Sequence, residues 1–150
     1  MARKSTQSVV EALSRLLADS YTLYLKTHNY HWNVKGPMFT TLHTLFQQQY
    51  TELQTAVDEI AERIRALGAY APGSYSEYSK IAVVKEEKGR PNAIQMIRNL
   101  VKDQAIVKDA AQRLIDAAQS VGDEASADLG IRRVQTHDKN AWMLQSHLEK

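Results

Sequence analysis

Residues 38–67 read MFTTLHTLFQQQYTELQTAVDEIAERIRAL. Apolar side chains recur there at every third or fourth position, which is the spacing of one helix face. That face comprises Phe39, Leu42, Leu45, Phe46, Leu53, Val57, Ile60, Ile64 and Leu67. Gly68 follows as a natural C-cap. The pattern predicts one long amphipathic helix that ends just before Gly68.

A second helical stripe precedes this one. Leu13, Leu17, Tyr21, Tyr24, His28 and His31 follow i+3/i+4 spacing and predict a first helix. Gly36-Pro37 stands between the two stripes, and this dipeptide is typical of a tight turn. The first two helices are therefore expected to form an antiparallel pair.

Beyond Gly68 the pattern changes. Residues 68–91 are rich in Gly, Pro, Tyr and Ser and then in charged residues, which predicts a long crossover with room for one short helix. A third helix is predicted from about Asn92, and Gly122 separates it from a fourth that runs to the C-terminus. Short, long and short connections predict an all-α fold, a ferritin-like four-helix bundle with one long crossover. We expect a single domain over residues 1–150, with a short tail at 1–4.

The composition narrows the function classes. A content of 43% hydrophobic and 24% charged residues in 150 is typical of a globular domain. The absence of cysteine excludes disulfides and thiolate metal sites. A net charge of +2 is too small to indicate nucleic-acid binding by itself. No apolar run suggests a membrane span or a secretory signal, so we expect a cytoplasmic protein.

Four residues of metal-binding type stand at spacings that one chain cannot bring together. Asp58 and Glu62 are one turn apart on one helix face. His43 precedes Asp58 by 15 residues of the same predicted helix, so the two lie ~22 Å apart along the axis. His31 lies near His43 if the first two helices are antiparallel. These residues are either unrelated or parts of a site that a second subunit completes.

A two-fold axis would complete the site. The midpoint between His43 and the carboxylate pair falls near Thr51–Glu52. Two subunits packed antiparallel about that midpoint would bring the histidines of each against the carboxylates of the other, forming two identical sites. The simpler alternative is a set of ordinary helical residues, with the carboxylates on a solvated face beside Arg63 and Arg65. We favour the metal site, because His31 continues an apolar stripe where a polar group needs a partner.

These residues also carry a family resemblance. The segment His31-Trp32-Asn-Val-Lys-Gly36-Pro-Met-Phe-x-x-Leu-His43, followed by Asp58-Glu-Ile-Ala-Glu62-Arg-Ile-x-Ala-Leu-Gly68, strongly resembles the two signature segments of the Dps family of mini-ferritins. The resemblance extends over nearly the whole chain, including Trp142-Met-Leu in the last predicted helix.

The resemblance implies a function and an assembly. Dps proteins are hollow dodecamers built from two-fold dimers, found in the bacterial cytoplasm or nucleoid. Their interfacial ferroxidase centres oxidise Fe(II), preferentially with hydrogen peroxide, and ferric mineral is stored inside, which protects DNA from oxidative damage. By motif position, His31 and His43 of one subunit and Asp58 and Glu62 of the other would be the iron ligands. A nitrogen and oxygen donor set also suits zinc or manganese. Trp32 is expected either to pack in the core or to act as an oxidisable ring near the iron.

Two further features follow from the family pattern. Asp123, Glu124 and Asp128 match an acidic three-fold pore for iron entry, although acids in a first helical turn also suit the helix dipole. Many members bind DNA through a lysine-rich extension, whereas only Met1-Ala-Arg3-Lys4 precedes the first predicted helix and Lys150 ends the chain. We therefore expect weak or absent DNA binding.

There are three alternative functions. A conventional ferritin needs Glu-x-x-His in the bundle core, and no glutamate here has histidine three residues later. A helical protein that only compacts DNA would have no use for the acidic ligand set. An assembly subunit with a structural zinc site and no turnover remains compatible with the sequence.

Overall fold

Five helices make up the chain in the computed structural model, which describes residues 2–149. They are α1 (Ala2–Asn33), α2 (Phe39–Ala66), α3 (Tyr75–Ile81), α4 (Ala93–Ser120) and α5 (Glu124–Gln145). No strand occurs within the described range. The four long helices and the short helix in the crossover confirm the predicted all-α, ferritin-like architecture.

The turn between α1 and α2, the end of α2 and the start of α4 lie where the sequence predicted them. Gly36, at φ +110°, lies in the connection between α1 and α2, and Gly68, at φ +90°, follows the end of α2. Both values fall in the left-handed region, which glycine adopts without steric cost. The Asn92 side chain accepts from Gln95 N, and the Gln95 side chain accepts from Asn92 N, so a capping box begins α4.

Two helical pairs form the bundle. α1 packs against α2, α4 packs against α5, and α1 also contacts α4. The buried core is mainly aliphatic, with Leu13, Leu16, Leu17, Leu23, Leu42, Leu53, Ile60, Ile64, Ile97, Leu100 and Leu114 all fully buried. At Gly130 the pair α4–α5 approaches closely, because a Cβ there would lie 2.7 Å from Ile115 Cγ1 and 3.0 Å from Ala111 O.

The crossover is held against α1 by buried polar groups. Asp19 is fully buried, and its Oδ1 accepts hydrogen bonds from Val83 N at 2.7 Å and Val84 N at 2.9 Å. Lys26 donates to Lys85 O at 2.8 Å and pairs with Asp103 of α4 at 2.9 Å. These contacts satisfy crossover main-chain groups that no helix satisfies.

Two predicted boundaries were wrong. Residues 2–4, expected to form a tail, belong to α1, while Met1 lies outside the described residues. The last helix ends at Gln145 rather than at the C-terminus, and residues 146–148 form a turn. No helix within residues 2–149 combines the length and apolar character that crossing a membrane requires.

Candidate metal centre

His31 and His43 are in contact where α1 ends and α2 begins. Their ring centroids lie 3.8 Å apart with planes at 15°. His31 Nδ1 is 2.7 Å from His43 O, and His43 Nδ1 is 2.7 Å from His31 O. The turn at Gly36 therefore brings together two histidines that are 12 residues apart.

These reciprocal hydrogen bonds fix the tautomer of both rings. A main-chain carbonyl only accepts, so each Nδ1 must carry the hydrogen and donate it. In a neutral imidazole the lone pair then lies on Nε2. Metal-bound histidines are commonly oriented in this way, through a hydrogen bond from the other ring nitrogen to a carbonyl. Both histidines thus present one nitrogen donor suited to a metal ion.

Asp58 and Glu62 differ from the other acids of α2 in having no charged partner. Glu52 and Glu59 form ion pairs with Arg133 and Arg132 of α5. Among the described residues, Asp58 and Glu62 are exposed and have neither an ion pair nor a hydrogen bond from a side chain. Two free carboxylates one turn apart can bind a cation.

The arginines that flank Glu62 in sequence are occupied elsewhere. Arg63 donates to Asp123 at 3.0 Å and to Ser126 at 2.9 Å, and Arg65 donates to Ala69 O at 2.8 Å. These arginines therefore do not neutralise Asp58 and Glu62. The alternative of a solvated carboxylate face stays a prediction, since both carboxylates are exposed.

One chain does not assemble a metal site from these parts. Within the part of the chain that the structure describes, no group of three or more histidine, aspartate or glutamate side chains lies close enough to hold a metal ion. His43 stands near the start of α2 with His31 of α1 beside it, and the carboxylates lie ~22 Å farther along the axis of α2. The site shared between two subunits stays a prediction.

Trp32 lies beside the histidine pair but outside the core. It is 59% exposed, so the expectation of core packing is wrong. Its indole ring contacts His28 at a centroid distance of 3.9 Å. Burial, and secondly the nearby His31, lower the pKa of His28. The role of Trp32 as an oxidisable ring stays a prediction.

Tyr50 is a neighbour of the site that the sequence analysis missed. It stacks on His28 at 4.2 Å and meets His31 edge-on at 5.2 Å. Its position seven residues after His43, on the same face of α2, was the signal that could have identified it.

Of the three acids assigned to a pore, Asp123 has a structural role. It is the N-cap of α5 and accepts from Ser126 N at 3.1 Å, Ser126 Oγ at 2.6 Å and Arg63. Burial would raise the pKa of Asp123, but the hydrogen bonds from Ser126 and the charge of Arg63 outweigh burial and lower it. Asp128 pairs with Arg132 at 3.1 Å, and Glu124 is exposed. The capping role is confirmed, and the pore stays a prediction.

The other buried histidine, His137, belongs to a polar group inside the bundle. Its Nδ1 donates to Gln104 Oε1 at 2.6 Å, and Arg133 donates to its Nε2 at 3.0 Å. Burial, and secondly the Arg133 charge, lower the pKa of His137 well below its usual value. The ring is neutral and structural, and it joins α4 to α5.

Known proteins share this architecture. A family model of the ferritin-like domain matches residues 10–150, so the bundle is of the ferritin-like class. The Bacillus anthracis protein named DNA protection during starvation protein 2 is 37% identical over 144 residues, covering 96% of this chain and 99% of that protein.

Two solved structures agree closely with the fold. Dps from Thermosynechococcus elongatus matches with a TM-score of 0.96 and 32% identity, covering 99% of this chain and 95% of that one. The Dps protein from Vibrio cholerae O1, described as a member of a superfamily of ferritin-like diiron-carboxylate proteins, matches with a TM-score of 0.93 and 34% identity, covering 97% and 92%. The chain therefore belongs to the Dps family of ferritin-like proteins.

Proposed function

We propose that this protein is a ferroxidase and iron-storage mini-ferritin. Fe(II) is its substrate, hydrogen peroxide its preferred oxidant and ferric mineral its stored product. His31 and His43 of one subunit and Asp58 and Glu62 of a second subunit bind the iron. The observation that carries the proposal is the pair of histidines where α1 meets α2, each oriented by the main-chain carbonyl of the other. The two unpaired carboxylates of α2 lie too far away to join them in one chain.

The surface of α2 supports a two-fold interface. Every exposed residue of α2 between His43 and Asp58 is an uncharged threonine or glutamine: Thr44, Gln47, Gln48, Thr51, Gln54 and Thr55. We call this set the α2 contact face. Near a two-fold axis a residue meets its own copy, so a charge there would repel itself. A face without charge, centred near Thr51, suits an isologous contact that brings histidines and carboxylates together.

The donor set suits iron oxidation. Neutral imidazole nitrogens and carboxylate oxygens bind both iron oxidation states. The negative charges of Asp58 and Glu62 favour the ferric product over the ferrous substrate. Two Fe(II) ions supply both electrons that, with two protons from water, reduce one hydrogen peroxide to two water molecules. This avoids the hydroxyl radical that a one-electron reduction releases.

Family membership supports the rest of the proposal. Two-fold dimers assemble into a hollow dodecamer, and Asp123, Glu124 and Asp128 line an entry pore for iron. One relative is named for DNA protection. We propose that this protein protects DNA by removing iron and peroxide in the bacterial cytoplasm or nucleoid, with weak or no DNA binding. Zinc or manganese can replace iron in the same ligand set.

The test is an anaerobic titration with Fe(II), followed by hydrogen peroxide. Ferric absorbance and spin-trapped radical are measured together. We expect about two Fe(II) oxidised per peroxide with little radical. Asp58→Asn combined with Glu62→Gln should abolish fast oxidation, while size-exclusion chromatography shows the same assembly as the wild type.

Two results would contradict the proposal. Fast oxidation retained in the double variant would show that Asp58 and Glu62 are not part of the site. Tight metal binding without turnover in the wild type would favour a structural zinc site.

A further inference from the structure

Glu52 puts a negative charge at the middle of α2, beside the uncharged contact face. It follows Thr51, which lies near the midpoint between His43 and the carboxylate pair, and its side chain is 41% exposed. A shallow groove along this part of α2 is lined by Thr44, Gln47, Gln48, Thr51, Glu52 and Thr55. All of these except Glu52 belong to the α2 contact face. A two-fold axis near Thr51 therefore brings the two copies of Glu52 close to each other.

The charge that neutralises Glu52 comes from inside the bundle. Arg133 of α5 donates to both carboxylate oxygens of Glu52, from Nη1 to Oε2 and from Nη2 to Oε1, the latter at 3.1 Å. Two parallel hydrogen bonds of this kind make a strong ion pair. The Arg133 side chain is only 5% exposed, whereas Arg132, which pairs with Glu59, is 48% exposed. Water and salt therefore screen the Glu52–Arg133 pair less than the Glu59–Arg132 pair.

Neutral groups hold Arg133 in this position. Its Nη2 also donates to His137 Nε2 at 3.0 Å, and His137 Nδ1 donates to Gln104 Oε1 at 2.6 Å. Among the described residues, Glu52 is the only carboxylate that pairs with Arg133, and Arg133 is the only cation that pairs with Glu52. Each of the two charges therefore depends on the other for its neutralisation.

We propose that Arg133 is a positioning residue of the subunit interface: it neutralises Glu52 and so lets a second copy of this chain dock on the α2 contact face. This inference rests on the proposed function, which requires that two-fold contact. Without the guanidinium, two carboxylates would oppose each other near the axis, and like charges opposed across an interface strongly weaken it. Arg133 approaches from the α5 side, so it removes this repulsion while the contact face stays free for the second copy. Since the iron site takes ligands from two subunits, Arg133 acts on iron oxidation through the assembly.

The test measures assembly of the whole protein by sedimentation equilibrium over a range of protein concentrations. Arg133→Gln keeps an N–H donor for His137 but leaves Glu52 without a counter-charge. We expect the subunit dissociation constant of this variant to rise at least about a hundredfold. Assembly should return in about 1 M salt, where the screening length is about 3 Å. It should also return when Arg133→Gln is combined with Glu52→Gln, because neither charge remains. Fast iron oxidation should be lost and recovered together with the assembly.

Arg132→Gln is the matched control. It removes the same charge from α5 and takes the arginine from Glu59, but Glu59 lies farther along α2, away from the axis, and does not meet its own copy. Its assembly should match that of the wild type. Thr51→Glu tests the same reasoning without disturbing the core, because Thr51 is exposed and Arg133 is already paired with Glu52. This variant should dissociate, whereas the uncharged Thr51→Gln should assemble.

Three outcomes would overturn the inference. Assembly of Arg133→Gln at wild-type concentrations would show that the charge of Glu52 needs no neutralisation. Dissociation that neither salt nor the added Glu52→Gln reverses would show that Arg133 acts through packing alone. Unchanged assembly of Thr51→Glu would show that a charge at the middle of α2 is tolerated, and this result decides the question if Arg133→Gln fails to fold. The proposed function fails on a different result, a wild type that assembles but oxidises no iron, and sedimentation then still decides the role of Arg133.

Discussion

Mixing two inactive variants should restore activity if the iron site is shared between subunits. The first variant carries His31→Gln and His43→Gln, and the second carries Asp58→Asn and Glu62→Gln. Each alone has no complete site. In a mixed dimer, one site takes histidines from the second variant and carboxylates from the first, so it is intact. The other site lacks all four ligands.

The expected recovery follows from the symmetry. Equal amounts of the two chains that pair at random make about half of all dimers mixed, and each mixed dimer has one intact site of two. The assembly should therefore regain about a quarter of the wild-type rate per subunit. Co-expression with two different affinity tags and tandem purification confirms that both chains are present, but it leaves the recovery at about a quarter, because nearly every dodecamer of randomly paired chains contains both.

The assay is the initial rate of ferric absorbance after peroxide is added to protein preloaded with Fe(II). A matched mixture combines His31→Gln with His43→Gln. No recovery is expected there, because both histidines of a site come from the same subunit, as their 2.7 Å contacts with each other's main chain require. Recovery in this control would show that the two histidines of one site come from different subunits. The shared site would be refuted if the mixture of the histidine double variant with the carboxylate double variant stayed as inactive as each variant alone.

Three further predictions concern stability. Gly130→Ala should lower the free energy of unfolding, measured with urea, by about 1–2 kcal/mol, because the clash of the new Cβ with Ile115 outweighs the higher helix propensity of alanine. Gly73→Ala is the control, because a Cβ at Gly73 meets nothing within 4 Å. Asp19→Ala should lower the free energy of unfolding by about 2 kcal/mol and increase proteolysis of the crossover, because it removes the acceptor of two crossover amide groups. The isosteric Asp19→Asn keeps an amide oxygen as acceptor and should lower the free energy of unfolding by less. The depressed pKa of His137 means that the unfolded chain takes up this proton first as the pH falls, so stability is complete above pH ~6.5 and declines below it. His137→Gln should flatten the decline between pH 7 and 5, and an unchanged slope in that variant would assign the proton uptake to another group.

The helices, their order and the candidate metal ligands were readable from the sequence. A helix face repeats within a few residues, so Leu42 to Leu67 reveal α2, and Gly36 and Gly68 mark its limits through their positive φ. His31 and His43 could be placed together because they stand on either side of one short turn, and such a turn makes the two helices that it joins pack antiparallel. The ~22 Å between His43 and Asp58 likewise follows from the rise of a single helix.

Contacts between distant residues could not be read from the sequence. Arg63 follows Glu62 directly, yet its guanidinium pairs with Asp123, 60 residues later, which leaves Glu62 free. Trp32 continues a helix that is largely buried, yet it is 59% exposed. The direction of a side chain and the partner it pairs with depend on how the bundle brings α1, α2 and α5 together. Packing between helices decides these contacts, rather than which residues are adjacent in the sequence. Local periodicity therefore predicts the helices and the candidate ligands that they carry, while tertiary packing decides which charges are neutralised and which rings come into contact.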